Sequence, residues 1–139
     1  MAEPSPPAGG SGIPLTFKGE MRGDVAILHL MGGAYTLKDS AKLEKVFAGL
    51  RKAGRYRLVI DVSGLEYVNS LTIGHIVSFA AEAKTAGGRL ALAAPKPTVM
   101  TMMRALGLTS AVLALNTVQE AVEVVSGEGP VAGRTTILR

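Results

Sequence analysis

LVIDVSGLEYVNSLTIGHIVSF, residues 58–79, is the stretch whose reading decides the fold. Leu58-Val59-Ile60 is a short apolar run of the buried-strand kind, and it stops at Asp61. A polar loop carrying Gly64 follows, and Asn69-Ser70 opens a pattern of helical period. The stretch predicts a buried strand feeding a helix through a loop, with a hydroxyl in the helix's first turn. In α/β sheets such a corner is where ligands and partners meet the fold.

Downstream, Ile73, Ile76, Val77 and Ala80 line one face of that helix, and His75, Ser78, Glu82 and Thr85 line the other. Gly87-Gly88 ends it. Leu90-Ala91-Leu92-Ala93 reads as a strand of the parallel kind. Thr98 is the expected cap of a third helix that carries Val99, Met102, Met103 and Leu106 on one side, with Met102 and Met103 in the core and Met100 toward the surface. Val112 to Leu115 is a further strand. Thr117 and Glu120 have the spacing of a capping box before a last helix burying Val118, Ala121, Val122 and Val125.

Upstream, Thr16-Phe17-Lys18 and Val25 to Leu30 read as two strands joined by a turn at Arg22-Gly23-Asp24. Arg-Gly-Asp is therefore read as turn chemistry, not as an adhesion motif. Gly32-Gly33 is expected to break the second strand. Leu43, Val46, Phe47 and Leu50 then recur at helical spacing, with Thr36 or Asp39 as cap. A hairpin followed by alternating helix and strand implies an α/β fold. The expected architecture is a mainly parallel four- to five-stranded sheet with about four helices. The domain is expected at residues 13–126, between a disordered tail at 1–12 and a poorly ordered Gly/Pro/Ser-rich tail at 127–139.

Composition excludes several functions. The 139 residues hold no Cys, which rules out disulfide scaffolds and thiol chemistry, and two histidines are too few for a histidine-only metal site. The net charge of +4 is scattered, without the basic stripe and interleaved aromatics of a nucleic-acid binder. No run approaches the ~18 apolar residues of a membrane span, and residues 1–12 lack the features of a signal peptide. The expectation is a cytoplasmic protein with no membrane insertion.

Neither catalysis nor nucleotide binding is indicated. Ser70, His75 and Asp61 lie close in sequence, but Ser70 and His75 are on different helical faces, and no glycine flanks Ser70 as in a nucleophile elbow. Gly32-Gly33 and Gly87-Gly88 lack the Lys-Ser/Thr or spaced glycines of phosphate loops. No cofactor or metal is expected. Ser70 itself has two readings, a helix N-cap or a phosphoacceptor placed where free amides and the helix dipole favour a phosphate.

Ile60-Asp61-Val62-Ser63-Gly64 followed by Tyr67-Val68-Asn69-Ser70-Leu71-Thr72-Ile73-Gly74 resembles the STAS domain of bacterial anti-sigma factor antagonists. That pattern is a strand ending in Asp, a short loop, then Asp-Ser-Ser-Gly opening a helix. The resemblance runs from about Leu15 to Val125 and includes Ala105-Leu106-Gly107-Leu108. It implies a small STAS-type fold, no catalytic activity, and regulation of transcription by partner switching. The partners it implies are an anti-sigma factor that is also a serine kinase, and a phosphatase. The phosphoacceptor it implies is Ser70, with Thr72 as alternative. The docking surface would be Asp61 and the corner Asn69, Ser70, Leu71 and Thr72, with His75, Ser78 and Glu82 along the helix and Thr36 at its border. This chain departs from the pattern at three places: Asn69 replaces Asp, Leu71 the second Ser and Thr72 the Gly. The other reading left open is a non-switching STAS adaptor, such as an accessory subunit of a lipid-transport ATPase or a part of a signalling assembly.

Overall fold

The computed structural model describes residues 12–108, 112–127 and 135–137, so the expectations for residues 1–11, 128–134 and 138–139 lie outside it. Strands β1 (Thr16–Arg22) and β2 (Val25–Ala34) form the hairpin. Helix α1 (Leu37–Lys52), β3 (Arg57–Val68), α2 (Ser70–Thr85), β4 (Arg89–Ala93), α3 (Pro97–Ala105), β5 (Leu113–Leu115) and α4 (Val118–Ser126) follow. The strands lie in chain order, with β2 to β5 mutually parallel and β1 antiparallel at one edge. Within the stretch read as a poorly ordered tail, the β-branched Thr135–Ile137 form a short strand β6, antiparallel to β5 at the other edge.

Because every parallel crossover steps the same way across the sheet, right-handed connections put α1, α2 and α3 on one face. Strand period two does the rest. Leu58, Ile60 and Val62 of β3 meet Leu43, Phe47, Ile76 and Phe79 on that face, where the Phe47 and Phe79 rings stack at 4.9 Å. Val59, with Val25, Ile27 and Ala91 of its neighbours, points the other way onto Ala121, Val122 and Val125 of α4.

Two expected chain breaks are not breaks. β3 does not stop at Asp61: it continues through Ser63-Gly64 to Val68, paired with the far half of β2 across two register shifts. Gly32-Gly33 lies inside β2 at the second of these shifts. Gly32 has φ +78°, and a Cβ there would stand 2.4 Å from the carbonyl oxygen of Pro14, so only glycine fits. Backbone pairing along the whole length of both strands outweighs the polar, glycine-bearing composition. α3 also starts differently from expectation. Lys96, not Thr98, is the N-cap, without a side-chain cap bond, and Pro97, whose missing N–H costs nothing in the first turn, opens the helix.

Candidate functional site

The N-termini of α1 and α2 lie side by side, and short polar side chains join them. Asn69, not Ser70, is the N-cap of α2: its Oδ1 accepts from the Thr72 amide at 2.8 Å and from the Ser40 hydroxyl at 2.9 Å. Its Nδ2 donates to the Thr36 carbonyl at 3.3 Å. The Ser40 and Thr72 hydroxyls are 2.8 Å apart. Thr36 caps α1 in a reciprocal box with Asp39.

This arrangement sorts the expected site residues. Asn69 and Thr72 are each 1% exposed, so they build the corner from inside and do not face a partner. Burial behind Ser40 also removes Thr72 as an alternative phosphoacceptor. Ser70 and Leu71 are exposed beside Thr36. Freed from capping, the Ser70 hydroxyl has no hydrogen-bond partner among the described residues. The first turn of α2 carries no acidic side chain, whereas α1 and α4 have Asp39 and Glu120 there. Its amide end is thus uncompensated and suited to an anion.

Farther along α2, Ser78 is exposed, while His75 and Glu82 are engaged with α1. His75 Nδ1 lies 3.4 Å from Glu44, and Arg51 bridges Glu44 at 2.7 Å and Glu82 at 2.8 Å while stacking over Phe79. These contacts hold the two helices together; His75 is half-buried, while Glu82 stays exposed toward a partner.

Asp61 does not belong to this corner. It points to the α4 face, roughly 23 Å along the strand from Val68, the last strand residue before the corner, at ~3.3 Å per residue. There it meets His29 at 2.6 Å, and His29 meets Glu20 at 2.7 Å. The hydrogen bond from Asp61, then that from Glu20, raises the His29 pKa above its ordinary 6.5 against a smaller opposing effect of burial. A raised value contributes stability that is fully present below 6.5 and is lost as pH rises through the folded-state value. An NMR titration of the His29 ring is expected to give a midpoint above 6.5, and Asp61→Asn to lower it. An unchanged midpoint in that variant would remove Asp61 as the cause.

The structure adds residues that local patterns did not single out. Tyr67, Val68, Met102, Ala105 and Leu106 line an apolar cleft of about 330 Å³ that opens beside Asn69 and Ser70. Met102, expected in the core, is half-buried in its wall, and Met103 alone is fully buried. Tyr35 stacks on Tyr67 at 5.1 Å and stiffens the floor. Leu37, Leu71 and Leu106 are 63%, 41% and 41% exposed, an unusual apolar display near one polar corner. Leu37 directly after the Thr36 cap and Leu106 in the Ala-Leu-Gly-Leu segment were the available signals.

Comparison with known proteins agrees with this fold. The sequence model of the family described as Mlab, STAS domain matches residues 19–117. No curated protein matches. TM1081 of Thermotoga maritima, a candidate anti-sigma factor antagonist, is 26% identical over 79% of this chain and 94% of its own, with a TM-score of 0.69. An anti-sigma factor antagonist from Mycobacterium paratuberculosis shares the fold at 18% identity and a TM-score of 0.71, over 81% of this chain and 94% of that one. The antagonist SpoIIAA in its unphosphorylated form does so at 21% identity and 0.68, over 81% and 97%.

Proposed function

The chain belongs to the STAS domain family, and from that premise we propose that it is an anti-sigma factor antagonist. It regulates transcription by partner switching, binds an anti-sigma factor that is also a serine kinase, and is controlled by phosphorylation at Ser70. It acts by binding, with no catalytic activity of its own, and a phosphatase resets it. The observation that carries the reading is the exposed, unengaged Ser70 hydroxyl on a helix end already capped by Asn69. Phosphorylation there need not unfold anything. It adds up to about two negative charges beside an apolar cleft, which favours the free amides of α2 and repels a partner docked on Leu71 and Leu106.

The test is capture of partners on immobilised wild type, Ser70→Asp and Ser70→Ala, followed by titration of each captured protein. The expected result is a kinase-fold protein bound by wild type and Ser70→Ala and bound at least tenfold more weakly by Ser70→Asp, a change of about 1.4 kcal/mol. Equal binding by all three would sink the switch. It would favour the second reading, a fixed STAS adaptor such as an accessory subunit of a lipid-transport ATPase. The feature that supports the second reading is Asn69, which stands where the switching pattern has an acid.

A further inference from the structure

We propose that two copies of this chain associate through antiparallel pairing of their β1 strands about a twofold axis at Gly19. β1 is the outer strand of the sheet, and all seven of its residues, TFKGEMR, are exposed. A long exposed edge is a template for another strand. The two-residue turn at Gly23-Asp24 pairs Arg22 with Val25. By the alternation of an antiparallel ladder, Thr16, Lys18, Glu20 and Arg22 then bond toward β2, and Phe17, Gly19 and Met21 turn their N–H and C=O groups outward.

Of the twofold registers that match outward groups with outward groups, three pair five or more residues of each strand, and side-chain charge separates those three. Centring on Lys18 sets lysine against lysine. Centring on Glu20 sets glutamate against glutamate. Centring on Gly19 sets Lys18 of each copy opposite Glu20 of the other, Phe17 opposite Met21, and Thr16 opposite Arg22. Opposite charges and an aromatic–methionine contact are both favourable directly across strands. All seven residues are used, and three hydrogen-bonded pairs contribute about six main-chain bonds. The same patch faces itself, as a twofold contact requires.

Two further observations agree. Lys18 makes no ion pair among the described residues, while Glu20 is held on the same side of the strand by His29 and Arg22. Nor does this chain itself require glycine at position 19, which has no positive φ; a Cβ there would have its nearest neighbour at an ordinary 3.9 Å. Glycine within a strand commonly marks the close approach of another backbone, and Gly19 would lie at the axis. Lysine on an edge strand usually blocks pairing. Here it would face lysine in the Lys18-centred register and Arg22 in the Glu20-centred one, and it meets an acid in the register centred on Gly19.

Sedimentation velocity of the full chain over a concentration series tests the proposal, with circular dichroism to confirm folding of each variant. Wild type is expected to dimerise reversibly. Lys18→Glu and Glu20→Lys should each weaken the dimer at least tenfold, because one variant presents two acids and the other two bases. An equimolar mixture of the two should form heterodimers, and Lys18→Glu/Glu20→Lys in one chain should recover self-association. A wild type that stays monomeric throughout, or single variants that dimerise as wild type does, would overturn it. Binding of a different extended segment at β1 without self-association would overturn it as well.

Discussion

Asp39→Ala is expected to cost the fold about 3–5 kcal/mol, because a buried carboxylate and three of its partners are lost together. Asp39 is 4% exposed and accepts from the amides of Leu15 at 3.3 Å, Tyr35 at 3.0 Å and Thr36 at 3.1 Å. Removing it orphans all three donors, breaks the box that starts α1, and leaves Lys42, which donates to the Leu15 carbonyl at 3.1 Å, to hold the segment before β1 to the helix. At roughly 4 °C or more per kcal/mol, the thermal midpoint should fall by about 15 °C. Urea unfolding followed by circular dichroism measures the loss, and a change below about 1 kcal/mol would show that the amides find other partners.

The same residue predicts an acid response of definite sign. Burial opposes the charged form of Asp39, but the three amides and the Thr36 hydroxyl outweigh it and hold the carboxyl below its ordinary range. A depressed value contributes stability that is present above the ordinary 3.8 and is lost as pH falls through the folded-state value. Asp39→Asn should therefore lose less stability than wild type on acidification, whatever its stability at neutral pH.

The second large effect is expected at Asn69. Asn69→Ala removes the α2 cap, the buried hydrogen bond from Ser40 and the part-buried one to the Thr36 carbonyl, for a loss of about 2–3 kcal/mol. Asn69→Asp is the more informative change, since it restores the acid of the switching pattern. The acceptor of Thr72 and Ser40 is kept, but the donor to the Thr36 carbonyl becomes an anion facing another oxygen. It should cost about 1 kcal/mol by denaturant unfolding. If Asn69→Asp were more stable than wild type, the amide contact to Thr36 would have no structural weight.

The fold was legible wherever a local pattern carried it. The Leu58–Ile60 run, the helical stripe at Leu43 and Phe47, and the hairpin turn at Gly23 all declare themselves within a few residues. Asp61 to Val68 did not, because Ser63-Gly64 looks like a loop until the far half of β2 lies beside it. The site divides the same way. Ser70 could be singled out by position, but whether Ser70 or Asn69 caps α2 depends on Ser40, 29 residues away in sequence from Asn69. Thr72 looks as available as Ser70 until α1 covers it, and the Met102–Leu106 cleft exists only once α3 packs beside the end of β3.

The strands lie across the sheet in the order in which they are synthesised. No strand inserts between two earlier ones, so a nascent chain never has to hold a gap open for a segment still inside the ribosome. Each helix-and-strand unit can dock on the edge left by the one before, and each closes a loop of modest length. Vectorial synthesis and spatial assembly therefore run in the same direction. The transiently exposed edge moves from β2 to β5 as translation proceeds, and aggregation risk during synthesis should follow that moving edge.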